Sequence, residues 1–288
     1  MMIRGDHRGD GMTEIRYQNR VVGFVDILGF KNLIRSPEKL QDVYDSFLMI
    51  SGTRLSLWSL EDALRYPNED HFPNIPKGSA ELSLFSDNFL MSVSEDNSEA
   101  ILALMISVSC LQNMLLSSKG ILCRGAIHAG ELMHGESPHQ GSIVFGPAVT
   151  EAYQIEQAVT SYPRVVLSER FLLVLQRHDL FHLCRNQHLI VQDFDGLYFI
   201  NYGLFSFGIH RDPEHGVDEF ELAFDAHAWA KERIWKSLEE LGGDTSVDPQ
   251  SYMNMKSKWM WLATRFNTNL EELKRTDHVR QVPPNLLQ

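Results

Sequence analysis

The sequence of 288 residues has few of the features that mark secreted or nucleic-acid-binding proteins. Its three cysteines, Cys110, Cys123 and Cys184, show no C-x-x-C spacing, so neither a disulfide framework nor a thiolate zinc site is indicated. Positive charge is scarce, and the net charge of −12 argues against nucleic acid as a partner. A nucleotide substrate stays compatible with this charge, because bound metal ions can supply local positive charge.

Long hydrophobic runs are also missing. The polar first 14 residues contain no apolar core segment, so we expect no signal peptide and interpret residues 1–18 as a disordered tail. The longest apolar stretch, residues 100–116, contains Ser107, Ser109, Gln112 and Asn113 and is too short and too polar to span a bilayer comfortably. We therefore expect a cytoplasmic protein that does not insert into a membrane.

The apolar pattern predicts an α+β domain over residues 19–205 and a helical appendage over residues 206–288. In the first region strand-like and helix-like segments alternate, which predicts a mixed sheet with helices packed on it. Strands are expected at residues 20–25, 121–129, 142–145, 164–167, 189–191 and 197–200, with a hairpin at 81–94 and helices at 98–118, 147–158 and after Ser168. The appendage has the pattern of a helical hairpin, which suits either a lid on the core or a dimerisation surface.

Residues 21–30 are the most informative segment, because an apolar strand in them ends on a lone acid, Asp26. A carboxylate at the end of a buried strand is costly unless a cation neutralises it. Gly29, three residues later, allows backbone amides to turn towards a phosphate. The pattern favours metal binding by Asp26 over the alternative of a solvated acid at a strand end.

A second acid, Asp87, lies at the tip of the predicted hairpin. Two carboxylates on adjacent strands are what a two-metal site for phosphoryl transfer needs. Aspartate is also common in tight turns, so the alternative is a turn residue without a ligand. The pairing of Asp87 with Asp26 favours the metal.

Four segments in chain order resemble the motifs of class III nucleotidyl cyclases. They are the first metal motif at residues 24–30, Phe85-Ser86-Asp87 at the second metal acid, a central strand at residues 124–130, and the helix that follows it at residues 146–156. The resemblance covers about residues 20–200 and implies the ferredoxin-like, class III cyclase mixed sheet. It also implies two metal ions, Mn²⁺ or Mg²⁺, held by Asp26, the backbone carbonyl of Ile27, and Asp87.

The positions that read a purine base in this family are altered here. Ser83 and Ile143 stand where purine cyclases carry their base-selecting side chains, and Thr150 and Gln154 replace the Asn and Arg that stabilise the transition state. This pattern, with residues 161–168 and 258–263, resembles the pyrimidine cyclases of bacterial anti-phage signalling. The resemblance implies a homodimer with active sites at its interface, UTP or CTP as substrate with UTP favoured, and a separate cyclic-nucleotide-responsive effector.

The remaining site residues follow from what the reaction requires. The backbone at Leu28, Gly29 and Phe30 is expected to face the triphosphate, and Arg124 and Arg164 are the candidates to replace the missing cation. Either arginine could instead pair with a core or surface acid. Tyr44, with Ser83 and Ile143, is predicted to contact the base, although a tyrosine on an amphipathic helix also suits a core.

Two other functions stay open on the sequence alone. A pseudo-cyclase, which binds nucleotide or dimerises without catalysis, is favoured by Thr150 and Gln154 and opposed by the paired acids Asp26 and Asp87. A conventional purine cyclase is disfavoured by Ser83 and Ile143.

Overall fold

The computed structural model describes residues 16–45, 80–137, 141–202, 219–243 and 248–275. Most of the predicted tail, residues 1–15, lies outside this part of the chain, and the division into a domain at 19–205 and an appendage at 206–288 stays a prediction. The described residues form an eight-stranded mixed sheet with helices on both faces, which confirms the predicted α+β class.

The sheet has the strand order β2-β3-β1-β4-β6-β8-β7, and β5 pairs with β4 beside this path. Its strands are β1 (Gln18–Ile27), β2 (Ala80–Phe85), β3 (Asn88–Ser94), β4 (Cys123–Ser137), β5 (Gly141–Phe145), β6 (Val165–Leu167), β7 (Ile190–Gln192) and β8 (Tyr198–Ile200). The central strand β1 pairs antiparallel with β3 and β4, whereas β4 and β6 are parallel. This mixture of directions is what the sequence pattern predicted.

The helices begin and end close to the predicted positions. They are α1 (Phe30–Leu33), α2 (Ser98–Lys119), α3 (Pro147–Val159), α4 (Glu169–Arg177), α5 (Leu180–Asn186), α6 (Glu219–Gly243) and α7 (Pro249–Arg275), and residues 40–45 are also helical. The side chain of Ser168 accepts a hydrogen bond from the Phe171 N–H at 3.1 Å and caps α4 as predicted. The sequence pattern did not predict α5.

Each face of the sheet is covered by its own helices. The side chains of Val21, Val25 and Ile27 on β1 pack with α2, α4 and α5 in one core cluster. Val22 and Phe24, which point to the opposite face, pack with Ala148 and Ala152 of α3. Asp26 continues the second series, so its side chain stands on the face that carries α3.

The second face is also covered by the C-terminal hairpin. Ala230 and Ile234 of α6 and Trp259 and Leu262 of α7 share a core cluster with sheet residues. On the sheet side this cluster contains Leu122, Ala126, Val166 and Phe199. The predicted helical hairpin is therefore confirmed as an element, and it packs on the sheet.

The apolar helix α2 passes the length and composition test for a membrane span, but 78% of its most apolar window is buried inside the protein. It contributes Ile101, Leu104, Val108 and Leu111 to the first core cluster. The burial explains its composition, because this helix packs across the centre of the sheet.

Candidate functional site

Asp26 and Asp87 lie on adjoining chain segments at one edge of the second face. Asp26, the single acid of β1, is paired in register with Asn88 on β3. Asn88 directly follows Asp87, which lies in the β2–β3 turn. The Ile27 N–H donates to the backbone carbonyl oxygen of Asp87 at 3.0 Å, which joins the two segments. The structure therefore brings together the two acids that the sequence singled out.

Arg124 neutralises Asp26. The two residues are paired across β1 and β4, and the Arg124 Nε lies 3.3 Å from a carboxylate oxygen of Asp26. The same Nε lies 2.5 Å from an oxygen of Glu156, a fully buried residue of α3. Arg124 therefore pairs with two acids, which is the alternative that the sequence left open, and its role towards the substrate stays a prediction.

Gly125 allows this close pairing of strands. A Cβ at this position would lie 2.1 Å from the backbone oxygen of Phe24. No side chain fits there unless the strands separate, so glycine at this position keeps Arg124 and Asp26 opposite each other.

Burial dominates the electrostatics of Asp26. Desolvation raises the pKa of this carboxyl to about 6, against the lowering effect of Arg124, and the negative charges of Glu156 and Asp87 raise it further. The contribution of Asp87 indicates that the two aspartates are close enough to repel each other. A site with this surplus of negative charge favours an additional cation.

The donor set fits a hard divalent ion. Within the described residues no group of three or more His, Cys, Asp or Glu side chains comes together to form a complete metal cage. Mg²⁺ needs no such cage, because it is usually held by one or two carboxylates together with water and substrate phosphates. Asp26 and Asp87 supply two carboxylates, and both are at least partly accessible.

The backbone after Asp26 is partly engaged within the protein. The Leu28 N–H donates to the Leu122 carbonyl oxygen at 2.8 Å, so this amide is not available to a phosphate. Gly29 has a left-handed backbone conformation, with φ of +74°. It directly precedes the short helix α1, which begins at Phe30. The predicted role of Gly29 and Phe30 towards a triphosphate stays a prediction.

Arg164 directly precedes β6, beside β4, and belongs to an internal ion-pair cluster. It is 1% exposed and contacts the carboxylates of Asp193 and Asp195, and the Trp261 indole N–H donates to Asp193 at 2.9 Å. This environment matches the alternative of a core ion pair, because both carboxylates that Arg164 contacts come from the turn between β7 and β8. A role of Arg164 towards a substrate is therefore not favoured by its surroundings.

Ser83 is buried on β2 in a polar network. Its hydroxyl lies 2.9 Å from Nε2 of His134, and the other ring nitrogen of His134 lies 2.7 Å from the Ser92 hydroxyl. The Arg20 guanidinium donates to the same Ser92 hydroxyl at 2.9 Å. A contact between Ser83 and a base would have to share this hydroxyl with His134.

Ile143 and Tyr44, the other two residues predicted to contact the base, both have exposed side chains. Ile143 is 44% exposed on β5 and pairs with Gly135, eleven positions along β4 from Arg124. The predicted contact of Ile143 with a base stays a prediction. Tyr44 is 60% exposed on the helical residues 40–45, which rules out the alternative of a core tyrosine.

Two charged residues near Arg124 were not singled out by sequence reasoning. Glu156 follows Ala148 and Ala152 at a spacing of four on the buried side of α3, so a lone acid in an apolar stripe was the available indication. Lys258 of α7 lies near enough for the charge of Arg124 to affect its pKa. Its position depends on how α7 packs on the sheet, and the sequence pattern gave no indication of it.

Three solved structures with a similar arrangement are nucleotide cyclase domains. The guanylate cyclase domain of RhGC from Catenaria anguillulae in complex with GTP has 11% identity, covers 65% of this chain and 98% of its own, and has a TM-score of 0.42. The adenylyl cyclase CyaB from P. aeruginosa has 13% identity, coverages of 67% and 98%, and a TM-score of 0.43. The guanylyl cyclase Cya2 has 12% identity, covers 70% of this chain and 97% of its own, and has a TM-score of 0.34.

No protein-family model and no curated protein matches the sequence. With TM-scores of 0.43 or less, the structural likenesses carry no conclusion about chemistry. The function must therefore be inferred from the residues around Asp26, Asp87 and Arg124.

Proposed function

We propose that the protein is a metal-dependent nucleotidyl cyclase. It converts a pyrimidine nucleoside triphosphate, UTP in preference to CTP, to a 3′,5′-cyclic mononucleotide and pyrophosphate. The observation that carries this proposal is the pair of acids, Asp26 and Asp87, joined by the Ile27–Asp87 hydrogen bond of 3.0 Å and flanked by Arg124. Ser83 and Ile143, at the positions that select the base in the family that the sequence resembles, support a pyrimidine base over a purine.

In this reaction the 3′-hydroxyl oxygen of the substrate attacks its own α-phosphorus and its proton passes to solvent. The bond between the α-phosphorus and the oxygen that bridges to the β-phosphorus breaks, and pyrophosphate leaves. Asp26 and Asp87, with the Ile27 carbonyl, would hold two Mn²⁺ or Mg²⁺ ions, which lower the pKa of the attacking hydroxyl and neutralise the phosphates. Arg124 supplies positive charge beside them, where negative charge develops on the phosphate and the leaving group. Glu156 holds the Arg124 guanidinium in place from α3.

The proposed assembly is a homodimer with sites at the interface. Ile143 is 44% exposed on β5, where it would be available to line a base pocket at a second copy. In keeping with the resemblance, the cyclic product is proposed as a second messenger in cytoplasmic anti-phage defence, read by a separate cyclic-nucleotide-responsive effector.

The test is product formation from each ribonucleoside triphosphate. Purified protein is incubated with Mn²⁺ and ATP, GTP, CTP or UTP in turn, and cyclic products are identified by mass. We expect cyclic UMP as the main product. Cyclic CMP alone would assign the cytidine alternative, and a purine product alone would contradict the proposed base.

Substitution of the acids tests the metal assignment. Asp26→Asn and Asp87→Asn are expected to reduce turnover by about 100-fold or more, since each removes a charge that organises the transition state. Asp96→Asn is the matched control, because Asp96 is an exposed acid in the turn after β3. Near-normal turnover in both site variants, with normal folding by circular dichroism, would refute the assignment.

One observation favours the pseudo-cyclase as a second candidate. Arg124 pairs with Asp26 at 3.3 Å and supplies part of the positive charge that a metal ion would provide in an active site. Tight Mn²⁺-dependent binding of UTP with no product from any of the four triphosphates would select this candidate.

A further inference from the structure

The C-terminal helix α7 packs on the strand face that carries Arg124. Leu122, directly before β4, and Ala126 lie two positions to either side of Arg124, and alternation along the strand puts Arg124 and Ala126 on the same face. Both flanking residues belong to the core cluster that contains Trp259 and Leu262 of α7. The helix therefore covers the sheet immediately beside the candidate site.

The same cluster reaches the turn that follows Asp26. Leu28 packs against it from the end of β1. Trp261 of α7 stacks on Tyr162 with ring centroids 5.5 Å apart, and the Arg124 guanidinium reaches the carbonyl oxygen of Thr160 at 3.5 Å. These contacts hold α7 between the metal-motif turn and the segment after α3.

Lys258 lies one helical turn before Trp261 and Leu262, on the side of α7 that faces the sheet. Its side chain is half-buried, and burial followed by the positive charge of Arg124 lowers its pKa. Two cations from different elements therefore stand close together, at a site to which Asp26 and Asp87 also contribute.

Lys258 differs from three other cations in the described residues that are at least partly buried and form ion pairs. Lys119 pairs with Asp42 and Asp45, Arg124 with two acids, and Arg164 with two more. Among the described residues Lys258 forms no ion pair. A half-buried ammonium group without an ion pair is costly, and binding of an anion would offset this cost.

We propose that Lys258 binds the triphosphate of the substrate, as a second cation beside Arg124 contributed by the C-terminal hairpin of the same chain. A polyphosphate carries several negative charges in a short length, and lysine binds phosphate as a point charge. This assignment rests on the proposed function for the identity of the substrate. The C-terminal hairpin would then contribute a cation that binds the substrate. The helix α3 carries Gln154 where the family that the sequence resembles has an arginine.

The test measures binding of inorganic tripolyphosphate with Mn²⁺ by titration calorimetry on the full-length protein. Lys258→Gln is expected to weaken binding by about 10-fold or more, the usual loss for one charge-assisted contact. Lys258→Arg is expected to restore most of the affinity, because the positive charge is kept. Lys256→Gln is the matched control, since Lys256 is exposed on the same helix and lies over the Tyr252 ring.

Several outcomes overturn the assignment. They are unchanged affinity in Lys258→Gln, no binding of tripolyphosphate by the wild type, and equal weakening in Lys258→Gln and Lys258→Arg with lower melting temperatures in both. The last result would indicate a lysine that only supports the fold.

Cyclisation assays separate this assignment from the proposed function. If the wild type binds tripolyphosphate through Lys258 but forms no cyclic product, the cyclase proposal fails and the assignment of Lys258 stands. If the wild type cyclises UTP and Lys258→Gln has an unchanged KM, the assignment fails and the cyclase proposal stands.

Discussion

Burial and charge compete at Asp26. Its side chain is 15% exposed, and desolvation raises its pKa to about 6 although Arg124 lies 3.3 Å away. Glu156 shares Arg124 and contributes a further negative charge. The result is a carboxyl that one arginine does not fully stabilise, as expected of a site that takes an additional cation.

Because of this environment, the contribution of Asp26 to the stability of the fold is expected to decrease as the pH rises. The pKa of Asp26 is about 6 in the folded protein and about 3.9 in an unfolded chain. Its contribution to stability is therefore fully present below pH about 4 and is lost as the pH rises through about 6. Urea unfolding of metal-free wild type and Asp26→Asn across this range is expected to show a larger loss for the wild type. Equal losses in the two proteins would contradict the raised pKa.

Arg164 illustrates the opposite case, in which a buried charge has all its partners inside the fold. Lys at this position keeps the charge but loses the forked contacts with Asp193 and Asp195. We expect Arg164→Lys to lower the melting temperature while turnover per folded molecule stays within about threefold of the wild type, since its partners are structural. A large fall in turnover without loss of stability would return Arg164 to the catalytic group.

At the level of elements, the aromatic side chains of α7 attach the C-terminal hairpin to the sheet. Trp261 is 9% exposed, stacks on Tyr162 and packs on Phe199, and its indole N–H donates to Asp193. One side chain thus joins the hairpin to β8 and to the Arg164 cluster. Anything that α7 contributes to the candidate site depends on this attachment.

Truncation of Trp261 measures the strength of the attachment. Trp261→Ala is expected to lower the free energy of unfolding by about 3–5 kcal/mol, as for other buried tryptophans. The control is Trp235→Ala on α6, which is 66% exposed and is expected to change stability by no more than about 0.5 kcal/mol. Denaturant unfolding of both variants tests this, and similar losses for the two would show that the hairpin is not held by Trp261.

At the scale of the whole molecule, the far end of β4 carries exposed apolar side chains. Tyr17 and Phe145 make an edge-to-face contact with centroids 6.0 Å apart, and Ile143 is also exposed. A group of this kind on a soluble monomer is typical of an interaction surface. The proposed homodimer would cover it.

Phe145→Ser is therefore expected to raise the dissociation constant of the dimer by about 10-fold or more, since aromatic side chains dominate many interfaces. Leu173→Ser on α4 is the control, because Leu173 is 63% exposed on the helices of the other face. Sedimentation equilibrium on the two variants provides the measurement. A wild type that stays monomeric at all concentrations would exclude the dimer.

The order and approximate bounds of most elements follow from the sequence, because strand alternation, helical spacing and caps act over a few residues. The apolar strand that ends on Asp26 and the hairpin with Asp87 at its tip are local patterns of this kind. Their roles as metal ligands stay predictions that the proposed assays test.

Tertiary structure decided which charges meet. Arg124 and Arg164 are equally plausible cations in the sequence, but strand pairing puts Arg124 beside Asp26, whereas the β7–β8 turn brings Asp193 and Asp195 to Arg164. Glu156 and Lys258 reach the candidate site only through the packing of α3 and α7 on the sheet. Contacts between residues that lie far apart in the sequence depend on how elements pack, and no local pattern in the chain specifies that.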